Sequence, residues 1–305
     1  NIFQGQIGTN TNAFGAFRLE LNNKSAEIIF RHVGYKEISL KVDGIGKIVY
    51  LSQISLQAES VYVYSGLRET SLLNATSSIT IIGKTNLRND PSHHFQGLTQ
   101  SIPNLNWTGG TSRPRYFQIR GIGERGLYTG SGPPNFSVGF VIDDIDFTGI
   151  GMPGLLFDIS QIEVSRGPQS SIYGSNAMGG LISMRSTEPV SHFESVIQTM
   201  IATDNTRHVG ISVNTPIIVN MATRFSVFSS ETDGFRKNQS RNITNSDGKS
   251  ELLIRNKSTW LPYSFIQFNL TALYSKQNNK YDVWAPDNNN NLFTYSDREG
   301  KDSQV

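Results

Sequence analysis

The sequence has 305 residues, of which 37% are apolar and 17% charged, and a formal net charge of +2. The apolar share is too high for a disordered tail, and the charge is too small for an ordinary nucleic-acid domain, so no nucleic-acid partner is expected. The absence of cysteine removes zinc ribbons, disulfide frameworks and thiol catalysis. No run of about 20 apolar residues exists for a transmembrane helix, which leaves membrane barrels open because their apolar residues are spread in alternation. The chain begins at Asn1 with neither Met nor an apolar leader, so we expect a mature start or a fragment whose first fold lacks its beginning.

Residues 1–57 read as short strands at roughly ten-residue spacing: Phe17–Leu21, Ala26–Arg31, Lys36–Val42 and Ile48–Ile54. That pattern predicts a small β-sandwich. The run Glu59, Ser60, Val61, Tyr62, Val63, Tyr64 is β-prone and followed by polar residues. Its residues alone leave open one more sandwich strand or a separate extended segment.

Residues 75–188 alternate short strands with glycine-rich loops. Ile79–Ile82 is apolar and β-branched, and Leu98–Asn104 reads as a helix end broken by Pro103. Arg115–Arg120 alternates and stops at Gly121; Ser137–Ile142 runs into Asp143–Phe147 as a hairpin; Ile159–Ser165 and Leu181–Ser186 are two further strands. From residue 194 alternation is sustained. Val209, Ile211 and Val213 share one face; so do Met221, Phe225 and Val227, and then Ile266, Phe268, Leu270, Ala272 and Tyr274. The connections Pro216–Asn220 and Leu261–Ser264 are short, whereas Glu231–Gly248 and Lys276–Gly300 are long and polar. Short turns alternating with long loops is the pattern of an outer-membrane barrel, although a soluble sandwich also has alternating strands.

Several stretches carry chemistry-like patterns. Ile162–Ile182 is a strand, a Gly167–Pro168 turn, a small helical turn and a Gly179–Gly180 entry into another strand. No Lys-Ser or Lys-Thr follows its glycines, which rules against a phosphate loop. Gly121-x-Gly123 opens a polar loop rather than a helix and fails as a nucleotide fingerprint. His93 and His94 sit after Asp90-Pro91-Ser92 in an expected loop, where adjacent rings point apart, so no metal site is assigned. Asp143, Asp144 and Asp146 lack the later Glu of a calcium loop. No Ser-His-Asp set or carboxylate pair is found, so neither an enzyme nor a cofactor is expected.

Ile162–Ile182 resembles, without gaps, the plug signature V-E-V-L-R-G-P-Q-G-x-L-Y-G-x-x-A-x-G-G-x-I of TonB-dependent outer-membrane receptors, through Arg166, Gly167, Pro168, Tyr173, Gly174, Gly179 and Gly180. Phe117–Gly123, with Arg120, Gly121 and Gly123, is similar to the family's I-R-G-I-G. Phe140–Ile145, with Asp143, resembles V-Y-V-D-G-V but has Asp144 where Gly ordinarily makes the turn. Phe30–Tyr35 resembles the F-x-x-x-G-Y stretch of carboxypeptidase regulatory-like domains, with 11–17 fitting the turn before it. Thr232–Asn238 and Tyr295–Gly300 resemble early barrel loops of iron-acquisition members.

These resemblances imply a mostly β chain in four parts: 1–57 a truncated regulatory-like β-sandwich, 58–74 a TonB box and linker, 75–188 an α+β plug with a mixed sheet, and 189–305 the start of an antiparallel transmembrane β-barrel. They make Glu59–Tyr64 the TonB box, which would pair as a strand with the edge of TonB's sheet. They further imply that Arg166, singled out with Arg120 as a strand-end charge, pairs with barrel-wall carboxylates in barrel sequence outside this chain, and that loop residues Trp107, Arg125, Tyr128, Pro133, Pro134 and Phe136 either pack or touch ligand. The implied function is TonB-coupled uptake of a scarce ligand, foremost a ferric siderophore, with glycan, peptide or vitamin as alternatives and outer-membrane lipid as surroundings. A soluble β-rich binding module and a hydrolase are the readings from other classes. About four barrel strands are expected, too few to close, so this chain alone is expected not to transport.

Overall fold

The computed structural model describes residues 2–4, 7–12, 14–20, 27–32, 34–41, 48–53, 62–64, 69–75, 77–108, 111–123, 136–150, 154–282, 292–298 and 300–305. They divide into two compact units, Asn1–Val61 and Tyr62–Val305. Glu59, Ser60, Val61, Arg125, Tyr128, Pro133 and Pro134 lie outside the described residues.

In the first unit, β1 (Ile2–Gln4), β2 (Ile7–Thr9), β3 (Glu27–Phe30) and β4 (Ile38–Lys41) make one antiparallel sheet in the order β2-β1-β3-β4. Two expected strands are corrected. Phe17–Glu20 is not a strand: Phe17 meets Phe30 edge-on at 5.7 Å, and Leu19 packs on the cluster of Ile2, Ile28 and Phe30. Residues 48–53 supply Val49 and Leu51 to the same cluster and only a single bridge, Tyr35 to Gln53. Their side chains are apolar because they seal the cluster, without any ladder.

The second unit opens with β5 (Tyr62–Val63) against β6 (Thr70–Ser71). Next come β7 (Ile79–Gly83), α1 (Lys84–Asn89), α2 (Phe95–Leu98), β8 (Leu105–Thr108), β9 (Tyr116–Ile119) and β10 (Ile122–Gly123). The plug is completed by β11 (Val138–Ile142), β12 (Ile145–Asp146), β13 (Ile159–Ser165), α3 (Ser170–Tyr173) and β14 (Gly180–Ser186). Its main sheet is mixed, in the order β12-β11-β14-β13-β7, with β11 and β14 parallel. The helices and the sheet β10-β9-β8 complete its core, in which Ile119, Ile142, Ile162, Ile182 and Met184 are fully buried. Gly180 explains part of the signature. Its φ is 158°, and a Cβ there would stand 2.5 Å from the Ser165 carbonyl oxygen. A side chain at that point would therefore push β14 off β13. The turn at Asp143–Asp144 takes φ of 48° and 65°, the double left-handed geometry of a tight two-residue hairpin, so Asp144 does adopt the conformation for which glycine is favoured.

A six-stranded sheet, all antiparallel, packs on the plug: β15 (Glu194–Ala202), β16 (Thr206–Ile218), β17 (Met221–Thr232), β19 (Lys249–Tyr263), β20 (Ile266–Tyr281) and β22 (Gly300–Gln304). The expectation of about four strands is thus corrected to six among the described residues. Three were hidden for physical reasons. β15 carries apolar neighbours in sequence (Val196-Ile197, Met200-Ile201), β19 presents charges on its inner face, and β22 is wholly polar. Between them, β18 (Lys237–Asn238) and β21 (Phe293–Thr294) pair in parallel and tie the two long loops together.

This wall is inside-out relative to a soluble sheet. Val209, Ile211, Phe225, Phe268 and Leu270 point outward and are 46–62% exposed. Their neighbours His208, Ser212, Arg224, Ser226 and Glu251 point inward and are buried against the plug. A soluble sandwich buries its apolar face, whereas a barrel strand in lipid exposes it. Gly210 lies on the inner face because a Cβ there would stand 2.5 Å from the Phe157 ring. Gly210→Ala is expected to cost about 1–3 kcal/mol through displacement of that ring, read as a lowered plug-unfolding midpoint with wall strand content unchanged.

Candidate functional site

The plug meets the wall through buried ion pairs whose polarity reverses along the strands. At the long-loop end the plug supplies the cations. Arg113 gives Nε and Nη2 to the two Glu251 oxygens at 2.6 Å each, and both side chains are at most 5% exposed. Arg115 Nη2 reaches Asp302 at 2.7 Å, and Ser112 Oγ donates to the same carboxylate at 2.9 Å. Nearer the short turns the wall supplies the cations. Arg224 forks onto Asp158, with Nη2 to Oδ1 at 2.7 Å and Nε to Oδ2 at 2.8 Å, while Ser226 and Ser212 also donate to that carboxylate. Lys257 Nζ lies 3.1 Å from Asp143 and 2.6 Å from Glu188. Paired guanidinium and carboxylate forks of this kind are short and geometrically specific.

Two plug carboxylates are tuned by these partners. Burial pushes Asp158 up, but hydrogen bonds from Arg224 and Ser226 and the Arg224 charge outweigh it and hold it below the ordinary value. For Asp143, burial acts the same way and is outweighed by Lys257, Arg255 and the bonds from Ser186.

His93 and His94 have separate surroundings. His94 Nδ1 accepts the Gln96 N–H at 3.1 Å and caps α2. The His93 ring meets that of His208 of the wall at 4.3 Å, tilted by 31°, and its Nε2 faces Arg113 Nη2 at 3.2 Å, which requires the neutral ring as acceptor. Burial, then the Arg113 charge, bring His93 down to about 3. The unfolded ring titrates near 6.5, so native stability is full above that pH and falls as the pH drops from 6.5 towards 3. Between pH 6.5 and 5 the expected loss is about 2 kcal/mol. Unfolding midpoints across that range check it: His93→Gln reduces the slope without abolishing it, because burial also holds the His94 ring low.

The residues expected as a TonB box and as plug signature are placed as follows. Tyr62, Val63 and Tyr64 lie against the plug sheet, with Val63 buried. Gln161 Nε2 donates to Tyr62 O at 2.7 Å, Tyr64 N donates to Glu163 Oε1 at 2.8 Å, and Arg185 Nη2 donates to Tyr64 O at 3.1 Å. Arg120, at φ 54°, and Gly121 form the turn between β9 and β10, and the Arg120 side chain is exposed. Arg166 makes no ion pair among the described residues. Within this stretch of wall the arginine-to-carboxylate pairs are made by Arg113 and Arg115, on the segment leading into β9, to Glu251 of β19 and Asp302 of β22. Trp107 lies on β8, opposite Phe117, and packs on the plug core rather than at a loop tip. Phe136 stacks on Tyr116 at 5.6 Å. Gly167, Pro168 and Gly174 flank α3, with Gly174 at φ 77°. Asp146 caps its own turn by accepting the Thr148 N–H. Arg113, Asp158, Arg224, Glu251 and Lys257 were missed from sequence. One signal was available: Glu251, Arg255 and Lys257 share strand parity while Leu252 and Ile254 take the other.

The two loop stretches that resemble those of iron-acquisition members come together. Asn238 Nδ2 donates to Asp282 Oδ2 at 2.6 Å and to Ser296 O at 2.9 Å, Thr294 Oγ1 donates to Asp282 at 2.8 Å, and Ser296 Oγ donates to it too.

Comparison with known proteins agrees with this architecture. Residues 71–181 match the TonB-dependent Receptor Plug Domain. The ferric enterobactin receptor PirA of Pseudomonas aeruginosa is 25% identical over 272 residues, covering 79% of this chain and 36% of that protein. The ferric yersiniabactin uptake receptor FyuA from Yersinia pestis shares the fold with a TM-score of 0.58 at 19% identity, over 68% of this chain and 32% of that one. The ferripyoverdine receptor of the outer membrane of Pseudomonas aeruginosa superposes with a TM-score of 0.60 at 12% identity, over 77% and 32%. The chain thus spans about a third of the length of these relatives. Residues 71–181 thus belong to the TonB-dependent receptor plug domains, and the inside-out strand wall that follows has the fold of the outer-membrane receptors to which the chain is similar.

Proposed function

We propose that this chain is the plug and first wall of a receptor that takes up a ferric siderophore by energy coupling through residues 59–64. One observation carries the reading: a plug is fastened by buried ion pairs to a wall whose outer face is apolar. A ligand captured among the long loops, which tie to each other at Asn238 and Asp282, cannot pass until that fastening is rearranged, and passive binding does not supply the work. The iron-siderophore class is supported by what the relatives are named for, and by the two loop stretches. TonB is the partner of 59–64 by strand pairing. Residues 1–57 are read as a regulatory-like β-sandwich ahead of that segment.

The test is binding of a peptide covering Ser55–Leu67 to the periplasmic domain of TonB. Saturable binding that Val63→Pro abolishes supports the reading, because proline removes a ladder N–H. Absence of binding at high peptide concentration returns the segment to a structural role.

A further inference from the structure

We infer that the Asp143–Asp144 turn is a relay through which the barrel wall sets how firmly Tyr62–Tyr64 is held. The inference rests on the reading of that segment as the coupling strand. It starts from the residue that departs from the family pattern, Asp144 where glycine is ordinary.

The two turn residues face different structures. Asp143 takes Lys257 of the wall at 3.1 Å and accepts Ser186 N at 2.9 Å and Ser186 Oγ at 2.7 Å. Asp144 takes Arg185 Nη2 at 3.4 Å and the Tyr173 hydroxyl. Arg185 is the chain neighbour of Ser186 and closes the far side of Tyr64: the same Nη2 donates to Tyr64 O, and the guanidinium lies 5.0 Å above the Tyr64 ring. A path of direct contacts therefore runs from Lys257 through Asp143–Asp144 and Arg185 to Tyr64.

The clamp is also weakly made at this point. Arg185 divides one nitrogen between two acceptors at 3.1 and 3.4 Å, while its Nε is buried with no hydrogen-bond partner among the described residues. Half-satisfied polar groups are the ones a small displacement shifts. A wall strand that draws Asp143 along with Lys257 turns Asp144 with it, because the two are adjacent in a tight turn. Of its two backbone bonds to the plug, Tyr64 then keeps the one to Glu163. While clamped, the segment has β6 on one edge and plug side chains on Tyr62 O, Tyr64 N and Tyr64 O, bonds that a partner's strand has to displace.

The experiment uses the intact receptor in its outer membrane with a spin label at Tyr62→Cys, a position whose side chain is exposed; this sequence contributes no other cysteine. Asp144→Gly keeps the turn, since glycine favours that φ, and removes only the carboxylate. It is expected to raise the mobile fraction of the label about two- to fivefold, the range of one exposed ion pair. Lys257→Met is expected to do the same from the wall side, and Arg185→Ala serves as the direct release. Mobilisation by Arg185→Ala but not by Asp144→Gly or Lys257→Met overturns the relay, as does a label equally mobile in all four proteins. Mobilisation by all three without any binding of the TonB periplasmic domain supports the relay and removes the coupling reading on which it was placed.

Discussion

Exchanging Glu251 for Leu while Arg113 is kept is expected to cost the seated plug about 3–5 kcal/mol. The two side chains are bidentate and almost fully buried, so the variant leaves a guanidinium in the interface with only Gln96 Oε1 and the His93 ring to receive its protons. The pair itself contributes far less than that figure, because both charges were stripped of water to make it. Arg113→Met together with Glu251→Leu is therefore expected to recover most of the loss. Denaturant unfolding of the plug in the detergent-solubilised receptor measures both. A double variant as unstable as the single one would mean that the fork adds net stability rather than only needing its partner.

Asp158→Asn is expected to be comparably damaging, by about 3 kcal/mol or more, although it is nearly isosteric. Asp158 has φ 58°, which asparagine tolerates, so backbone strain is not introduced. What disappears is the nearer of the two carboxylates on Arg224 and, beside Asp143, one of the two charges acting on the fully buried Arg255, whose Nη1 reaches carbonyl oxygens at 3.4 Å. The same carboxylate has a pH signature. Its native value is depressed, so its stabilisation is present above the unfolded aspartate range near 3.9 and is lost as the pH falls through the native value. That window opens near 3.9, at the acid end of the His93 window, so a loss between about pH 6.5 and 4 reports the histidine rings and not Asp158. An Asp158→Asn receptor with an unchanged unfolding midpoint would show that Glu194, 3.4 Å from Arg224, suffices as the counter-charge.

The plug was legible residue by residue because its signature follows from local geometry. Gly180 has to be glycine against Ser165, and the strand Ile159–Ser165 ends where the Gly167–Pro168 turn begins. The wall was legible where its inner face is small and polar, as at Gly210, Ser212 and Asn214 of β16, and illegible where the inner face carries charge, as in β19. The interface was not legible at all. Arg113 and Glu251 are 138 positions apart, and nothing local to either marks the other. The family likeness drew attention to Arg166, whereas the arginines that meet this stretch of wall are in the run Ser112–Arg115, which carries no signature. Asp144 was noticed as a departure, but its contact with Arg185 depends on how β11 and β14 pair, which no spacing reveals.

The measurement that bears most directly on the account is uptake of radioactive iron, carried by a panel of catecholate, hydroxamate and mixed siderophores, into cells bearing the whole receptor with and without Val63→Pro. The account predicts that at least one ferric siderophore is accumulated, that Val63→Pro abolishes accumulation, and that the same siderophore still binds the cell surface. Uptake that survives Val63→Pro, or the absence of uptake for every ferric siderophore by a correctly inserted receptor, would contradict it.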